Sequence, residues 1–455
     1  MQRLITRKGT FNLFYLALVL FPLVWLIFLI WRYHVDVLFW DEWNFVPFVD
    51  EFNQGTLSLR DLWSQIGEHR ILFPRIVMLL LTRFSSWDTS YELGFSILLA
   101  IAILAVLVRQ TQITGQLLQV QLKWLIPVLS IMVFSLSQAQ NWLWGWQLSE
   151  FMNVLAVLAG IVLLQTPDHW ARYSAAILLG VVASYSFGNG LLYWFIGLLV
   201  LLVLTFGNWR LMISRGAIWV AAAGLTFLSY FYDYHALIPI SVTLSTFYKP
   251  LDFTTYVLTF LGAPVLPTSF ECTAHGYQCD QAIFAASVAS LSGLILFGYV
   301  TWSLWNRGKF KTLVPFLGMA LYAILSGSEA GFERMDFGLQ QGMQSRYLTF
   351  SSLFWIALSA SLFVWAKTTE TRDKRRRRAG YSLVILVAGL VTLNSIQWSG
   401  GFPEHYAHYS PLRTVELSPQ NDQLLALFPW APSLDWMMTQ RQVLIKYHLS
   451  VFREP

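Results

Sequence analysis

The sequence predicts an all-α polytopic membrane protein, and composition and charge distribution are the observations behind that prediction. Of its 455 residues, 56% are hydrophobic and only 12% are charged, whereas a soluble domain carries about 25% charged residues. So few charged side chains could not cover the surfaces of two or three soluble domains. The net charge of +5 does not indicate nucleic acid as a partner, because the basic residues stand at the ends of apolar runs and not along one stripe.

A membrane-spanning helix needs about 20 apolar residues, because the hydrocarbon core is about 30 Å thick and offers no hydrogen-bond partners to the backbone. Eleven segments meet or approach this length, and we expect about 11 transmembrane helices. They cover residues 11–31, 91–108, 124–138, 147–165, 173–187, 191–206, 217–232, 282–302, 312–327, 347–366 and 381–397. The first segment is too long for a signal peptide and lacks a small-residue cleavage site, so it is predicted to be a retained anchor.

Two further apolar segments are predicted not to cross the membrane. Residues 71–84 are only fourteen in number and include two arginines, which favours a helix lying at the interface. Residues 253–267 contain two prolines and are flanked by outside loops, which favours a re-entrant or interfacial helix.

The basic residues predict the orientation of the chain. With the N-terminus in the cytoplasm, alternate connections become cytoplasmic, and these are short and basic. The strongest indication is the run Lys374-Arg-Arg-Arg-Arg378 between the last two predicted spans, which could also touch anionic lipid. We therefore expect an integral plasma (inner) membrane protein with a cytoplasmic N-terminus and an extracytoplasmic C-terminus.

On this topology every long connection lies outside the cytoplasm. These connections cover residues 34–90, 233–281 and 328–346 and the tail from 398 to 455. Loops of that length are uncommon in compact proteins unless they are functional. Only three acidic residues fall on the cytoplasmic side. The functional site is therefore predicted at the extracytoplasmic face.

Cys272 and Cys279 are the only cysteines, and both lie in the outside loop 233–281. Two neighbouring cysteines in an oxidising compartment predict a disulfide. A metal site built from Cys272, His275 and Cys279 is the less favoured alternative.

The densest group of chemically useful residues opens the first outside loop. Asp41 and Glu42 stand between Trp40 and Trp43, directly after the first span. Ionisable groups near membrane depth are a functional hypothesis by default, and a partly desolvated carboxylate can take a proton from a hydroxyl group. No cofactor is predicted with certainty, because a carboxylate pair can hold a divalent cation or serve as a metal-free base. A solvated acidic loop end is the alternative that needs no function.

Positive charges lie near the same membrane surface. Glu68, His69, Arg70 and Arg75 surround the start of the predicted interfacial helix, and Arg346 precedes Tyr347 at the start of a span. Arginine binds phosphate with two parallel hydrogen bonds and stays charged at any working pH, so Arg70, Arg75 and Arg346, together with His69, are candidate phosphate ligands. For Arg346, an interfacial arginine that reaches toward water is the alternative.

Other conspicuous residues are predicted to be structural. We expect the tryptophans Trp142, Trp144 and Trp146 to form an interfacial aromatic belt. The segment Ser186-Phe-Gly-Asn-Gly190 is predicted to be a tight turn between spans. The histidines His34, His235, His405 and His408 lack a metal-like pattern of neighbours in the sequence.

With these features the chain resembles the GT-C superfamily of integral membrane glycosyltransferases, which includes protein O-mannosyltransferases and lipid A aminoarabinose transferases. The resemblance is architectural and covers nearly the whole chain. Asp41-Glu42 matches the acidic pair of the first extracytoplasmic loop, and the stretch from Glu68 to Arg75 resembles the later His-Pro-containing part of that loop. Arg70 stands where the family pattern often has proline, and the tail is shorter than many C-terminal domains of the family.

The resemblance implies a fold and an activity. Residues 1–397 would form a GT-C-like transmembrane domain, with residues 32–90 as its first loop and residues 398–455 as a short tail. The enzyme would be an inverting glycosyltransferase that moves a hexosyl or pentosyl group from a polyprenyl-phosphate donor to a hydroxyl of a glycan, lipid or protein acceptor.

The resemblance also implies residue roles. Asp41 would be the general base, and Glu42 would orient the acceptor, hold a metal or tune Asp41. Arg346, with Arg75 or with His69 and Arg70, would stabilise the leaving phosphate. Contacts to the sugar or acceptor are expected from Trp40, Trp43, Glu68 and Tyr347.

Two other classes of protein fit the same composition. A transporter or flippase would place ionisable residues within its spans near the midplane and would often show repeated halves. A non-catalytic membrane scaffold would use the outside surface for protein contacts. The predicted spans carry few charges away from their ends, which favours the transferase over the transporter.

Overall fold

The computed structural model describes residues 2–38, 40–236, 246–276, 279–370, 373–417, 425 and 431–453. Within these ranges the ordered elements are helices, with an isolated β-bridge between Ile66 and His69.

The α-helices follow one another along both halves of the chain. Those of the first half are α1 Gln2–Tyr33, α2 Val46–Gln54, α3 Leu59–Trp63, α4 Leu72–Ser85, α5 Thr89–Leu118, α6 Leu125–Val133, α7 Ala139–Leu143, α8 Leu148–Leu163, α9 Trp170–Ser184, α10 Leu192–Thr205 and α11 Trp209–Phe231. Those of the second half are α12 Pro250–Gly262, α13 Ser269–His275, α14 Cys279–Trp305, α15 Val314–Arg334, α16 Leu348–Thr368, α17 Lys374–Trp398, α18 Gly401–Tyr409, α19 Leu412–Leu417 and α20 Leu434–Lys446.

Nine helical segments in the described part of the chain are long and apolar enough to cross a membrane. They are Leu13–Tyr33, Thr89–Leu118, Gly145–Leu163, Gly188–Thr205, Trp209–Phe231, Cys279–Trp305, Phe310–Phe337, Ser345–Thr368 and Lys374–Leu417. Each overlaps one of the eleven predicted spans. The chain is therefore an all-α polytopic membrane protein, as its composition indicates.

The other two predicted spans are shorter helices. Residues 173–187 correspond to α9, which has 15 residues, and residues 124–138 correspond to α6, which has 9. Polar residues follow α6 directly, and the Ser135 hydroxyl accepts a hydrogen bond from the backbone of Ser137. Side chains that bond to nearby backbone groups compete with the helix, so the chain changes here to short helical turns.

Helix α16 lies at the centre of the bundle. Its apolar window is wholly buried, and it packs against α14, α15 and α17. Arg346 lies in the 3-10 turn that leads into α16, so the position of this arginine is set by the most enclosed helix of the protein.

Long connections meet at one end of the bundle. The first loop contacts the tail, because Arg453 pairs with Asp36 and the Leu38 N–H donates to Glu416. The first loop also contacts the end of α15, because Glu68 pairs with Arg334, the last residue of that helix. Contacts among these segments place them on the same side of the helices, as alternation of the spans predicts.

The tail is folded and not merely a terminal extension. Helices α19 and α20 pack with α2 and α4 of the first loop around a shared apolar cluster that includes Trp43, Trp87, Met437 and Leu444. Lys446 and Tyr447 also bond to Asp50. The tail therefore forms a second layer over the first loop.

Neither predicted non-spanning helix is long enough to cross a membrane. α4 has 14 residues and α12 has 13. Arg75 lies on the buried side of α4, whereas Ile76, Leu80 and Phe84 are exposed along another side. An apolar stripe of this kind is typical of a helix at a membrane surface.

Cys272 and Cys279 are joined by a disulfide that links α13 to the start of α14. We expect purified protein to take up no maleimide under denaturing conditions without reductant and to take up two equivalents per chain after reduction, since the chain has 2 cysteines. Mass spectrometry checks this. Labelling without reductant would contradict the disulfide.

Candidate functional site

Asp41 and Glu42 lie in a 3-10 turn, Trp40–Phe45, directly after the first span. The turn begins with Trp40 at a φ of 54°, a left-handed conformation that reverses the chain direction. Phe45 and Val46 are completely buried and anchor the far end of the turn. Asp41 is half-buried and Glu42 is buried, and the two carboxylates have different neighbours.

Asp41 faces charged residues from two distant parts of the chain. Burial raises the pKa of the Asp41 carboxyl, while Arg346 and Arg334 act to lower it and Glu68 acts to raise it. Glu68 and Arg334 are themselves an ion pair at 3.3 Å. Within the described residues the Asp41 carboxylate accepts no hydrogen bond and forms no salt bridge. It is therefore a partly desolvated carboxylate that remains available to another molecule.

Arg346 is positioned through its backbone. Its N–H donates to Gln140 Oε1 at 3.3 Å, and its carbonyl accepts from Asn141 Nδ2 at 3.0 Å. Asn141 Nδ2 also donates to Thr349 Oγ1 at 2.6 Å. Helix α7 thus holds the turn before α16 through Gln140 and Asn141.

The guanidinium group of Arg346 forms no hydrogen bond or salt bridge with the described residues, although its charge acts on Asp41 and on the buried Glu150. It lies 5.2 Å from the centre of the Tyr347 ring, and its Nε is buried without a hydrogen-bond partner. No described residue accepts a hydrogen bond from this side chain. Its donors are therefore available to an anion beside Asp41.

Arg70 has a different environment. Its side chain is 2% exposed and donates to the carbonyl oxygens of Tyr230 at 2.6 Å, Trp63 at 2.9 Å and Tyr232 at 2.6 Å. The guanidinium also lies 3.9 Å from the centre of the Trp63 ring. Arg70 therefore joins the first loop to the end of α11, and this arrangement speaks against its predicted role as a phosphate ligand.

Arg75 is also occupied by the protein. Its Nη1 donates to the carbonyl oxygens of Leu62 at 2.8 Å and Ser64 at 2.6 Å at the end of α3. The residue is completely buried, and burial lowers the pKa of Arg75 to about 10. Arg75 thus caps a short helix through Nη1, while its Nε and Nη2 are buried without a hydrogen-bond partner among the described residues.

His69 lies against the Ser186–Gly190 turn. Its ring is 4.2 Å from that of Phe187, and a Cβ on Gly188 would be 2.7 Å from His69 Nδ1. Burial lowers the pKa of His69 to about 4, so the ring is neutral at physiological pH. A segment that the sequence predicts to be only a turn thus supports a candidate site residue.

Of the residues predicted to make aromatic contacts to a substrate, one is part of the fold and two remain candidates. Trp43 is completely buried and donates to the carbonyl of Leu38 at 2.9 Å, so it supports the turn and does not face a cavity. Trp40 is half-buried and packs edge-on against Trp144 at 5.7 Å, and Tyr347 is half-buried beside Arg346. Trp40 and Tyr347 remain candidates for contacts to a substrate.

The expected aromatic belt is wrong for the three tryptophans near α7. Trp142, Trp144 and Trp146 are 0%, 5% and 8% exposed. They pack inside the bundle and under the first loop, because the polar segment after α6 is recessed into the protein.

Asp41 and Glu42 do not belong to a cluster of three potential metal ligands among the described residues. Among the described residues, the group of three potential ligands that lies closely together is His34, Asp36 and Asp88. Arg453 pairs with both of these aspartates. Thr89 Oγ1 donates to Asp36, so it accepts from His34 Nε2 at 3.1 Å, and that nitrogen carries a proton. Ion pairs and hydrogen bonds of the fold therefore link the residues of this group.

Sequence reasoning missed two kinds of site residue. Arg334 was visible as a charge in a long loop, but its pairing with Glu68 joins positions 266 apart. Gln140 and Asn141 carried no signal, because they lie between the predicted spans 124–138 and 147–165, where polar residues are ordinary.

No protein-family model matches the chain, and a comparison with curated proteins finds no match either. What can be inferred about function therefore depends on the geometry of the site.

Proposed function

We propose that the protein is an inverting glycosyltransferase of the GT-C type, which transfers a sugar from a polyprenyl-phosphate donor to an acceptor hydroxyl at the extracytoplasmic membrane face. The observation that carries the proposal is the pairing of an available carboxylate, Asp41, with an available arginine, Arg346. The charge of Arg346 acts on the Asp41 carboxyl, although the two groups form no ion pair with each other.

The proposed chemistry needs both groups at once. The Asp41 carboxylate takes the proton of the acceptor hydroxyl while the hydroxyl oxygen attacks the anomeric carbon of the donor. The bond between that carbon and the phosphate oxygen breaks, and its electron pair goes to the phosphate. Arg346 stabilises the negative charge that develops there, and attack opposite to the leaving group inverts the anomeric centre.

The distribution of charge supports a transferase over a transporter. Asp41, Glu68, Arg334 and Arg346 come together at the end of the bundle, whereas a transporter would place its ionisable groups near the midplane. The lipid-linked donor would reach the site by lateral diffusion within the membrane, so no nucleotide-binding segment is required. The proposal includes eleven crossings, in which α6 with α7 and α9 traverse the membrane beside the nine longer segments.

We expect wild-type protein purified in detergent to retain a polyprenyl phosphate or polyprenyl-phosphate sugar and Arg346→Ala to lose at least about 90% of it, because the variant lacks the unused guanidinium. Mass spectrometry of co-purified lipids measures this. Arg83→Ala is the matched control, since Arg83 is an exposed arginine of the first loop.

Equal retention by all three proteins would contradict the phosphate-binding role of Arg346. Ordinary phospholipid alone in every sample would favour a transporter or a scaffold over the transferase.

A further inference from the structure

Basic residues from two connections lie at the end of the bundle opposite to Arg346. Helix α16 begins two residues after Arg346 and has 21 residues, so its two ends are about 30 Å apart. The connection that follows α14 and the start of α17 both lie at the far end of α16. We call their eight basic residues the basic surface, and they are Arg307, Lys309, Lys311, Lys374, Arg375, Arg376, Arg377 and Arg378.

Hydrogen bonds hold the connection after α14 against the end of α16. Arg307 Nη1 donates to Thr369 Oγ1 at 3.1 Å, and the indole N–H of Trp365 donates to Ser303 Oγ at 3.0 Å. Thr369 directly follows α16 and belongs to the segment that leads into α17. The fold therefore brings the basic residues of two separate connections to one place, although like charges repel each other.

The start of α17 carries positive charge against the preference of the helix. Its first five residues are all basic, and cations at a helix N-terminus are unfavourable because that end is already partly positive. Asp373 accepts a hydrogen bond from the Arg376 N–H at 3.0 Å and pairs with the same side chain at 3.1 Å. The other residues of the basic surface form no salt bridge within the described part of the chain. An anion from outside the chain would reduce the repulsion among them.

Membrane orientation alone does not account for the basic surface. A topology signal needs lysine or arginine in a loop close to a span, and the run from Lys374 to Arg378 supplies that signal by itself. The signal does not require a second connection to add three cations at the same place. The clustering therefore indicates a negatively charged ligand.

Exposed tryptophans place the basic surface at the level of lipid headgroups. Trp302 and Trp305 belong to the last turns of α14, just before Arg307, and are 62% and 59% exposed. Tryptophan is enriched where a membrane-spanning helix meets the membrane–water interface. Arginine and lysine bind phosphate groups, and anionic lipids attract basic segments beside a span. The lipid phosphate is thus the anion that lies beside these residues in a membrane.

We propose that the basic surface binds the headgroup phosphate of an anionic phospholipid between the connection after α14 and the start of α17. The acyl chains of this lipid lie along α14 beside Trp302 and Trp305. The phosphate offsets the repulsion between the two connections, so the bound lipid stabilises the folded chain. The inference does not rest on the proposed function, because the basic surface lies at the other end of α16 from Arg346.

The experiment measures the melting temperature of the full chain in a neutral detergent while phosphatidylglycerol, phosphatidylcholine or inorganic phosphate is added. Phosphatidylglycerol should raise the melting temperature of wild type by at least about 2 °C more than phosphatidylcholine does, because it binds the folded state. Inorganic phosphate at the same concentration should have no such effect, since it lacks acyl chains to lie beside the tryptophans.

The double variant Lys309→Gln/Lys311→Gln should shift the midpoint of the phosphatidylglycerol titration to about tenfold higher lipid concentration, since each basic residue near an anionic lipid contributes to binding. Lys374→Gln/Arg375→Gln should have the same effect. The matched control is Arg172→Gln/Arg210→Gln, which removes two exposed arginines from the first turns of α9 and α11. The control should keep the wild-type midpoint.

Equal effects of the two phospholipids on wild type would overturn the proposal. An equal effect of inorganic phosphate would overturn it as well, because the ligand would then be a free anion. Wild-type midpoints in both variants, or the same shift in the control, would show that the basic surface is not the binding site. If Lys374→Gln/Arg375→Gln does not fold, Lys309→Gln/Lys311→Gln decides alone, because it leaves the run from Lys374 to Arg378 intact.

Discussion

Asp41→Asn is expected to lower sugar transfer by about 10²- to 10⁴-fold, the usual contribution of a general base, while the protein keeps its fold. Asparagine is nearly the same size but cannot accept the proton of the acceptor hydroxyl. Since no described residue bonds to the Asp41 carboxylate, the substitution removes no contact of the fold. The melting temperature should therefore stay within about 1 °C of wild type.

The effect can be measured without knowing the substrate, by comparing glycan and glycolipid profiles of cells that lack their own copy of the gene and express each variant. Asp50→Asn is the matched control, because Asp50 is a carboxylate of the same loop that bonds to Lys446 and Tyr447. The control should restore the wild-type profile. A fully active Asp41→Asn variant would rule out Asp41 as the base.

Acid pH should lower the activity of the wild-type protein, as the substitution Asp41→Asn does. Burial raises the pKa of the Asp41 carboxyl, so activity should begin to fall at a pH above the ordinary carboxyl value of about 3.9. The residual activity of Asp41→Asn should lack this acid limb. An identical acid limb in both proteins would assign it to another group.

Arg70→Ala is expected to destabilise the protein by about 2–4 kcal/mol, although the sequence places Arg70 among the phosphate ligands. The substitution leaves the buried carbonyl oxygen of Tyr230 and the partly buried carbonyl oxygens of Trp63 and Tyr232 without their donor, and a buried unsatisfied group costs about 1–3 kcal/mol. The first loop then loses its connection to the end of α11.

Arg70→Lys should rescue little, because an ammonium group cannot reproduce three bonds in the plane of a guanidinium or its stacking on Trp63. Thermal unfolding in detergent and protease sensitivity of the first loop measure the effect. Arg346→Ala is the comparison, and it should keep wild-type stability while it loses the lipid. If Arg70→Ala were as stable as wild type but lost the lipid, Arg70 would be a ligand after all.

The sequence indicated part of the site because charged residues near the membrane carry a high energetic cost. Asp41 and Glu42 are adjacent carboxylates at the end of an apolar helix, and such an arrangement is unusual without a reason. The three arginines Arg70, Arg75 and Arg346 looked equivalent in the sequence, since a charge near a membrane surface fits both a ligand and a structural role. Only the positions of the carbonyl oxygens around each guanidinium distinguish them.

Composition and periodic charge by themselves determined that this protein is an all-α membrane protein, because the energetic cost of placing backbone and charge in a bilayer acts on every local segment. The neighbouring cysteines likewise indicated their disulfide. Tertiary structure decided the recess formed by α6 and α7 and the folding of the tail over the first loop. These features depend on contacts between residues far apart in the chain. The energetics of a local segment do not specify such contacts.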